Sequence, residues 1–256
     1  MDKLQYQTLD DIERLRTAVG PDRMEHALQK TLEFARLMTY YRCAMMEIET
    51  KFKVLNEEFS LRFDRQPINS ITTRLKNPLS IQEKLVHKGL PLSLESIERD
   101  LHDIAGIRVV CSFIEDVYML ADALLKQDDI TLIEKKDYIA DPKPNGYRSL
   151  HLIVEVPIFL EHEKRMMKAE IQLRTIAMDS WACMEHQLRY KKDDELDIQI
   201  AEEIQACAEL SATLDQKMNW LKNQIASESP DDSFKLHKEM ERIRSSLSRT
   251  QDQQKD

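Results

Sequence analysis

Glycine is scarce in this chain, with four residues in 256. Neither GxGxxG nor GxxxxGK followed by Ser or Thr occurs, so the Rossmann and P-loop routes to nucleotide phosphates are excluded. Cysteine is equally sparse. Cys43, Cys111, Cys183 and Cys207 lie far apart with no CxxC pair, which argues against a thiolate zinc site and a disulfide framework. Cys111 sits in an apolar run and is expected to pack as a small hydrophobe. Long apolar stretches are missing too, since none approaches the ~18 residues that mark a membrane span. The opening MDKLQYQTLDD is charged and has no apolar core. A cytosolic protein with neither secretion signal nor membrane contact is expected. An excess of basic charge is also absent. The net charge of −9 speaks against a non-specific nucleic-acid coat and makes local basic islands conspicuous. What remains is 42% hydrophobic and 32% charged, the balance of a soluble globular chain with material for one large or two small domains.

Residues 10–63 carry apolar residues at helical spacing, broken at Gly20-Pro21, where Pro21-Asp22 suits a new helix start. Met24, Leu28, Leu32, Ala35, Met38 and Met45 are expected to form a core stripe. Residues 68–76 alternate, so a strand would show Thr72, Arg74 and Lys76 on one face and Ile71, Thr73 and Leu75 on the other. In NPLSIQEKLVHKG, Pro78 opens a helix, Ser80 reads as its cap with Glu83 closing a capping box, and Gly89-Leu90-Pro91 ends it. There follow a short helix over 93–103, a strand after Gly106 and a helix over 114–128. A strand, a loop at 141–151, a strand, a turn around His162–Lys164 and a further strand come next. Helix resumes over 176–190 and from Asp193 to about Ile225. A linker is read from Ser227, with a charged helical tail after Ser233. This order predicts an α+β fold: a central mixed sheet of about five strands flanked by helices, with N- and C-terminal helical arms.

Four clusters carry chemistry. Arg74, Lys76, Lys84 and Lys88 form a basic island against one acid, Glu83, and suit polyphosphate. In DIAGIRVV, Asp103 stands at a strand mouth, placed to hold Mg²⁺ through one carboxylate, and Arg108 is a lone cation in an apolar strand that needs a partner. An Asp103–Arg108 salt bridge would satisfy both without any ligand. The dipeptide His102-Asp103 matches a metal phosphohydrolase signature, but further His and Asp ligands at metal spacing are missing upstream. The loop DPKPNGYRSLH offers Lys143, Asn145, Tyr147, Arg148 and His151, cations for phosphates and a ring for a base, although an ordinary Asx–Gly turn has the same outline. In EIQLRT, Glu170, Gln172 and Arg174 share one strand face opposite Ile171 and Leu173. Trp181, in the helix that follows, is expected in the core, and His186 reads as an ordinary helix histidine.

Taken together, SITTRLKNPLSIQEKL, DIAGIRVV, YIADPKPNGYRSLH and AEIQLRTIAMDSWACMEH resemble the synthetase domain of the RelA/SpoT homologue family, from about Ser70 to Lys191. The hydrolase domain and long regulatory region of that family have no counterpart, so the chain is similar to the small, single-domain alarmone synthetases. The resemblance implies a nucleotidyltransferase-like mixed sheet and a GTP/GDP pyrophosphokinase without hydrolase activity. Pyrophosphate would pass from ATP to the 3′-hydroxyl of GDP or GTP, giving ppGpp or pppGpp and AMP. It also implies roles. Arg74 and Arg108 would embrace adenine, and Lys76, Ser80 and Lys84 would bind the ATP phosphates. Asp103 would hold Mg²⁺. Tyr147 would stack on guanine, with Lys143, Asn145, Arg148 and His151 around the acceptor. Glu170 would orient or deprotonate the 3′-hydroxyl and join the Mg²⁺ shell, with Gln172 and Arg174 supporting the junction. Thr73 departs from the Gly that several relatives carry. Three regions follow: 1–66, N-terminal helical; 67–191, catalytic; 192–256, C-terminal helical. Relatives of this size form homotetramers, and (p)ppGpp and single-stranded RNA are further candidate ligands. Competing readings are a toxic relative that modifies tRNA 3′ ends or an adenosine nucleotide, and a nucleotide- or RNA-binding regulator.

Overall fold

The computed structural model describes residues 21–63, 65–190 and 198–228. The helix read at 10–20, the stretch 193–197, the linker beyond Glu228 and the tail after Ser233 lie outside the described residues. The described elements are α1 (Pro21–Phe63), β1 (Ile68–Leu75), α2 (Pro78–His87), α3 (Leu94–Asp100), β2 (Ala105–Cys111) and α4 (Ile114–Leu125). They continue with β3 (Thr131–Asp137), β4 (Leu150–Phe159), β5 (Lys164–Thr175), α5 (Ile176–Tyr190) and α6 (Ile198–Glu228). The last helix therefore runs through Ser227, where a linker is read from the sequence.

The five strands form one mixed sheet in the order β1-β2-β5-β4-β3. The central pair, β2 and β5, is parallel and the other pairs are antiparallel. Alternation sorts the side chains. Ile107, Val109, Leu152, Val154, Ile171 and Leu173 are buried on one face, beneath Tyr41, Ile48 and Phe52 of α1 and Leu120 and Leu124 of α4. Cys111 is buried among them, as expected, and burial pushes its thiol up. The opposite face carries the polar set. The register aligns Thr72, Arg108, Gln172, His151 and Lys136 as one row across all five strands. In the next row Arg74, Gly106 and Glu170 are partners.

The core stripe of α1 begins later than the sequence suggests. Met38 and Met45 are buried, but Leu28 and Leu32 are 58% and 66% exposed and Ala35 is exposed too. Helix length explains this. Forty-three residues span about 64 Å, against about 40 Å for the longest strand, so the first turns project beyond the sheet. Helix α2 starts at Pro78 as read, but its cap is Asn77, whose side chain accepts from the Ser80 backbone N–H at 2.7 Å. The Ser80 capping box is thus replaced by an Asn cap one turn earlier, with Pro in the first helical position. Gly89 (φ 66°) ends the helix, and the amides of Gly89 and Leu90 return to the carbonyls of Val86 and Leu85.

Helix α6 is fastened to the sheet and its flanking helices along its length. Trp181 of α5, buried as expected, donates Nε1 to the Ile204 carbonyl at 3.1 Å. Thr175 donates to Asp215 at 2.6 Å. Near the end of α6, Asn223, Lys222 and Asn219 all donate to Glu115 and draw its carboxyl down to about 2.

Candidate active site

A cavity of about 500 Å³ opens on the polar face, lined by Thr72, Thr73, Arg74, Lys76, Ser80, Asp103, Arg108, Glu170 and Gln172. One wall follows from the pairing of β1. The backbone N–H of Lys76 donates to the Ile104 carbonyl at 2.9 Å, which carries the β1–β2 pairing past the end of the strand and sets Lys76 beside Asp103. Lys84 approaches from α2. Both ammonium groups converge on Asp103 Oδ2, at 3.0 Å from Lys76 and 2.5 Å from Lys84. Asp103 Oδ1 is buried and has no hydrogen-bond partner among the described residues. Burial opposes ionisation of Asp103, but the two lysines outweigh it and hold the carboxyl below the usual range. Asp103 therefore pairs with lysines and not with Arg108. Arg74 lines the cavity, exposed, with no partner among the described residues. Lys88 is turned away and donates to the Asp100 carbonyl. His102 sits against the Arg99 carbonyl at 3.2 Å.

The second wall is the loop between β3 and β4. Gly146 adopts φ 86° and its N–H donates to the Lys143 carbonyl, while Asn145 Oδ1 accepts from the Tyr147 N–H at 3.2 Å. An Asx–Gly turn is thus present, and it aims the functional side chains. Tyr147 Oη lies 2.8 Å from His151 Nε2 and accepts from Arg174 Nη2 at 2.5 Å. Lys143 Nζ and the Arg174 guanidinium each stand 5.0 Å from the Tyr147 ring centre. Tyr138 adds edge contacts to both Tyr147 and His151. Arg148 points elsewhere: its Nη1 donates to the carbonyls of Gly146 and Ala208, latching the loop to α6. Asn145 donates to Glu185 of α5. The latch is tight. A Cβ at Gly146 would lie 2.4 Å from the Ala208 Cβ. Gly146→Ala should therefore destabilise the fold by about 1–3 kcal/mol. Thermal denaturation checks this, and an unchanged melting temperature would show that both α6 and the positive φ yield freely.

Between the walls lies the EIQLRT face. His151 Nδ1 sits 3.3 Å from Glu170 Oε1, Gln172 Nε2 donates to Glu170 Oε2 at 3.0 Å, and Arg174 Nη2 donates to Gln172 Oε1 at 2.9 Å. Burial raises the Glu170 pKa, but the hydrogen bond and charge of His151 outweigh it, so the carboxyl stays below the usual range. The Asp103 charge pushes Glu170 the other way, so the two carboxylates sense one another. Among the described residues, no three His, Cys, Asp or Glu side chains gather as a metal cluster. Two carboxylates, one with a free buried oxygen, suit Mg²⁺, which takes one or two protein oxygens and completes its shell with phosphates and water.

The sequence-predicted residues thus gather into one wall of Arg74, Lys76, Ser80, Lys84 and Arg108 and a second of Lys143, Tyr147 and His151, with Asp103, Glu170 and Gln172 between them. Arg148 stands apart. Two participants were missed. Asn77 caps α2 and releases the Ser80 hydroxyl to the cavity. Asp179, in the first turn of α5, accepts from Arg174 at 3.1 Å and pairs with Arg108 at 3.2 Å. Its signal was the requirement that two strand arginines find an anion.

Residues 73–195 match the model of the region found in RelA/SpoT proteins. The chain is 41% identical over 185 residues to GTP pyrophosphokinase YwaC of Bacillus subtilis, covering 72% of this chain and 88% of that protein. The crystal structure of small alarmone synthetase 2 from Bacillus subtilis superposes with a TM-score of 0.69 at 40% identity, over 75% of this chain and 99% of that one. Small alarmone synthetase 1 from the same organism, bound to its product pppGpp, gives 0.69 at 34% identity over 75% and 98%.

Proposed function

The chain belongs to the RelA/SpoT family, and we infer that it is a GTP pyrophosphokinase, a (p)ppGpp synthetase. The pyrophosphoryl donor is ATP, and the acceptor is the 3′-hydroxyl of GDP or GTP. The observation that carries this reading is Asp103 and Glu170 standing between a wall of lysines and arginines and a wall of Tyr147 and His151. The relatives' names, and the pppGpp held by one of them, favour a guanosine acceptor over tRNA or an adenosine nucleotide.

The donor enters the side of Arg74 and Arg108. Guanidinium planes stack on adenine, and Lys76, Lys84 and Ser80 take its phosphates. Tyr147 offers guanine a ring held in place through its hydroxyl, and Lys143 and His151 meet the acceptor's phosphates and ribose. Asp103 and Glu170 would hold Mg²⁺, which would neutralise charge on the donor phosphates. Glu170, ionised at neutral pH, takes the 3′-hydroxyl proton as the oxygen attacks the β-phosphorus. The bond from that phosphorus to the α-phosphate oxygen breaks, and AMP leaves. Lys76 and Lys84 stabilise the charge developing there. Gln172 fixes Glu170 for this task.

The deciding experiment is an acceptor screen with purified protein, ATP and Mg²⁺. GDP or GTP should yield ppGpp or pppGpp with one AMP per product. AMP released equally well without a guanosine nucleotide would reject the assignment. Tyr147→Ala should raise the acceptor KM by roughly 10- to 100-fold, the ~1–3 kcal/mol of a base stack, and leave the ATP KM within about twofold. Equal rises in both would make the loop scaffold and not acceptor site.

The division into an N-terminal helical region (1–66), a catalytic domain (67–191) and a C-terminal helical region (192–256) belongs to this proposal. So does a cytoplasmic homotetramer. Exposed Leu28 and Leu32 on α1 and exposed Leu210, Leu214, Leu221 and Ile225 on α6 support self-association. A monomer mass in light scattering would reject it. No described helix is long and apolar enough to cross a membrane. (p)ppGpp bound outside the catalytic cleft and single-stranded RNA are further candidate ligands, tested by a gel shift with and without pppGpp.

A further inference from the structure

Asp179 has no place in the reaction as laid out above, yet it touches both of its halves. One carboxylate oxygen, Oδ1, lies 3.1 Å from Arg174 Nη1 and 3.2 Å from Arg108 Nη1. The two arginines come from neighbouring parallel strands, where Arg108 is the register partner of Gln172 and Arg174 that of Val110. Both stand on the polar face, and without an anion between them they repel. Arg174 is only 4% exposed. Its second nitrogen, Nη2, is bound to Tyr147 Oη and Gln172 Oε1. Arg108 lines the donor cavity. The Nε atoms of both arginines are buried without a partner among the described residues. The Asp179 oxygen is thus an anchor that the two guanidiniums share.

We propose that Asp179 is a positioning residue that ties the donor pocket to the acceptor pocket, an inference that rests on the reaction assigned above. Its carboxylate sets Arg108 for adenine and Arg174 for Tyr147 at once. Removing the charge frees two repelling cations, one in each wall, so a single substitution acts on both nucleotides. The other anions of the cleft lack this property: Asp103 is bound by lysines of the donor wall alone, and Glu170 by His151 and Gln172.

The test is steady-state kinetics of the full chain with ATP, GDP and Mg²⁺. Asp179→Asn keeps the shape and loses the charge. It should raise the KM for ATP and the KM for GDP together, each by about tenfold, the worth of a charge-assisted hydrogen bond, with the melting temperature lowered by only roughly 2–8 °C as buried Arg174 loses its anion. Asp179→Glu should recover part of both. Added to Arg108→Ala, Asp179→Asn should change the ATP KM no further, and added to Arg174→Ala it should change the GDP KM no further. A rise in only one KM, in neither, or effects that multiply through those backgrounds would overturn the proposal. If the wild type makes no product, the assigned reaction falls first. Calorimetric binding of a non-hydrolysable ATP analogue and of GDP to the same variants then decides. Parallel loss of both affinities supports the shared anchor, and loss of one overturns it.

Discussion

Asp103→Asn should lower kcat by on the order of 10³-fold in a protein that still folds. The carboxylate is the anion that Lys76 and Lys84 share, reaching the same oxygen at 3.0 and 2.5 Å. Its other oxygen is buried and free to meet a cation. An amide in its place removes the proposed Mg²⁺ ligand and leaves two ammonium groups facing each other. They separate, and the donor phosphates lose their cradle as well. Breaking a fully buried pair costs about 3–5 kcal/mol. Here the three groups keep between a fifth and a third of their exposure, so a stability loss of about 1–2 kcal/mol is expected. Product chromatography beside thermal denaturation separates the two effects. A variant that keeps a tenth of wild-type turnover would remove Asp103 from the reaction centre.

Glu170→Gln should cost a similar factor, roughly 10²–10⁴-fold in kcat, the range of a lost general base. The amide keeps the size of the side chain and can still accept from one of its two partners, Gln172 or His151, so both KM values should change much less than kcat. That split separates loss of the base from loss of binding. The pH dependence follows from the direction of the shift. Both carboxyls are held below their ordinary range in the folded protein. Their contribution to stability is therefore complete above the unfolded carboxylate pKa and is lost as pH falls through the lower folded values. The acid limb of turnover that belongs to Glu170 should lie below the normal carboxylate range. A wild-type acid limb that vanishes in Glu170→Gln while lying well above that range would contradict the folded-state environment described above.

Much of this was legible in the chain. Period-two alternation put Glu170, Gln172 and Arg174 on one face and Ile171 and Leu173 on the other, and it separated Arg108 from Ile107 and Val109. Those faces are the ones observed. The five strands and their intervening helices were also readable, because turn residues and apolar periods are local properties. The errors have local causes as well. Leu28 and Leu32 have the spacing of core residues, yet α1 is longer than the sheet beneath it. Ser80 has the chemistry of a cap, but Asn77 before Pro78 takes that position and leaves the hydroxyl free. Arg148, read for its charge toward phosphate, also uses its Nη1 to hold two backbone carbonyls, of the loop and of α6.

The amino-acid sequence by itself determined the strand faces, the residue types at the site and, through four ordered motifs, the family. These depend on periodicity and on side chains close together in the chain. Only the tertiary structure decided the partnerships: Asp103 with Lys76 and Lys84, Arg108 and Arg174 with Asp179, and Arg148 with Ala208. A buried charge takes whichever counter-charge the packing of strands and helices brings within about 3 Å. That choice is made by the register of β2 beside β5 and by the docking of α5 and α6, which are long-range contacts that no local pattern contains.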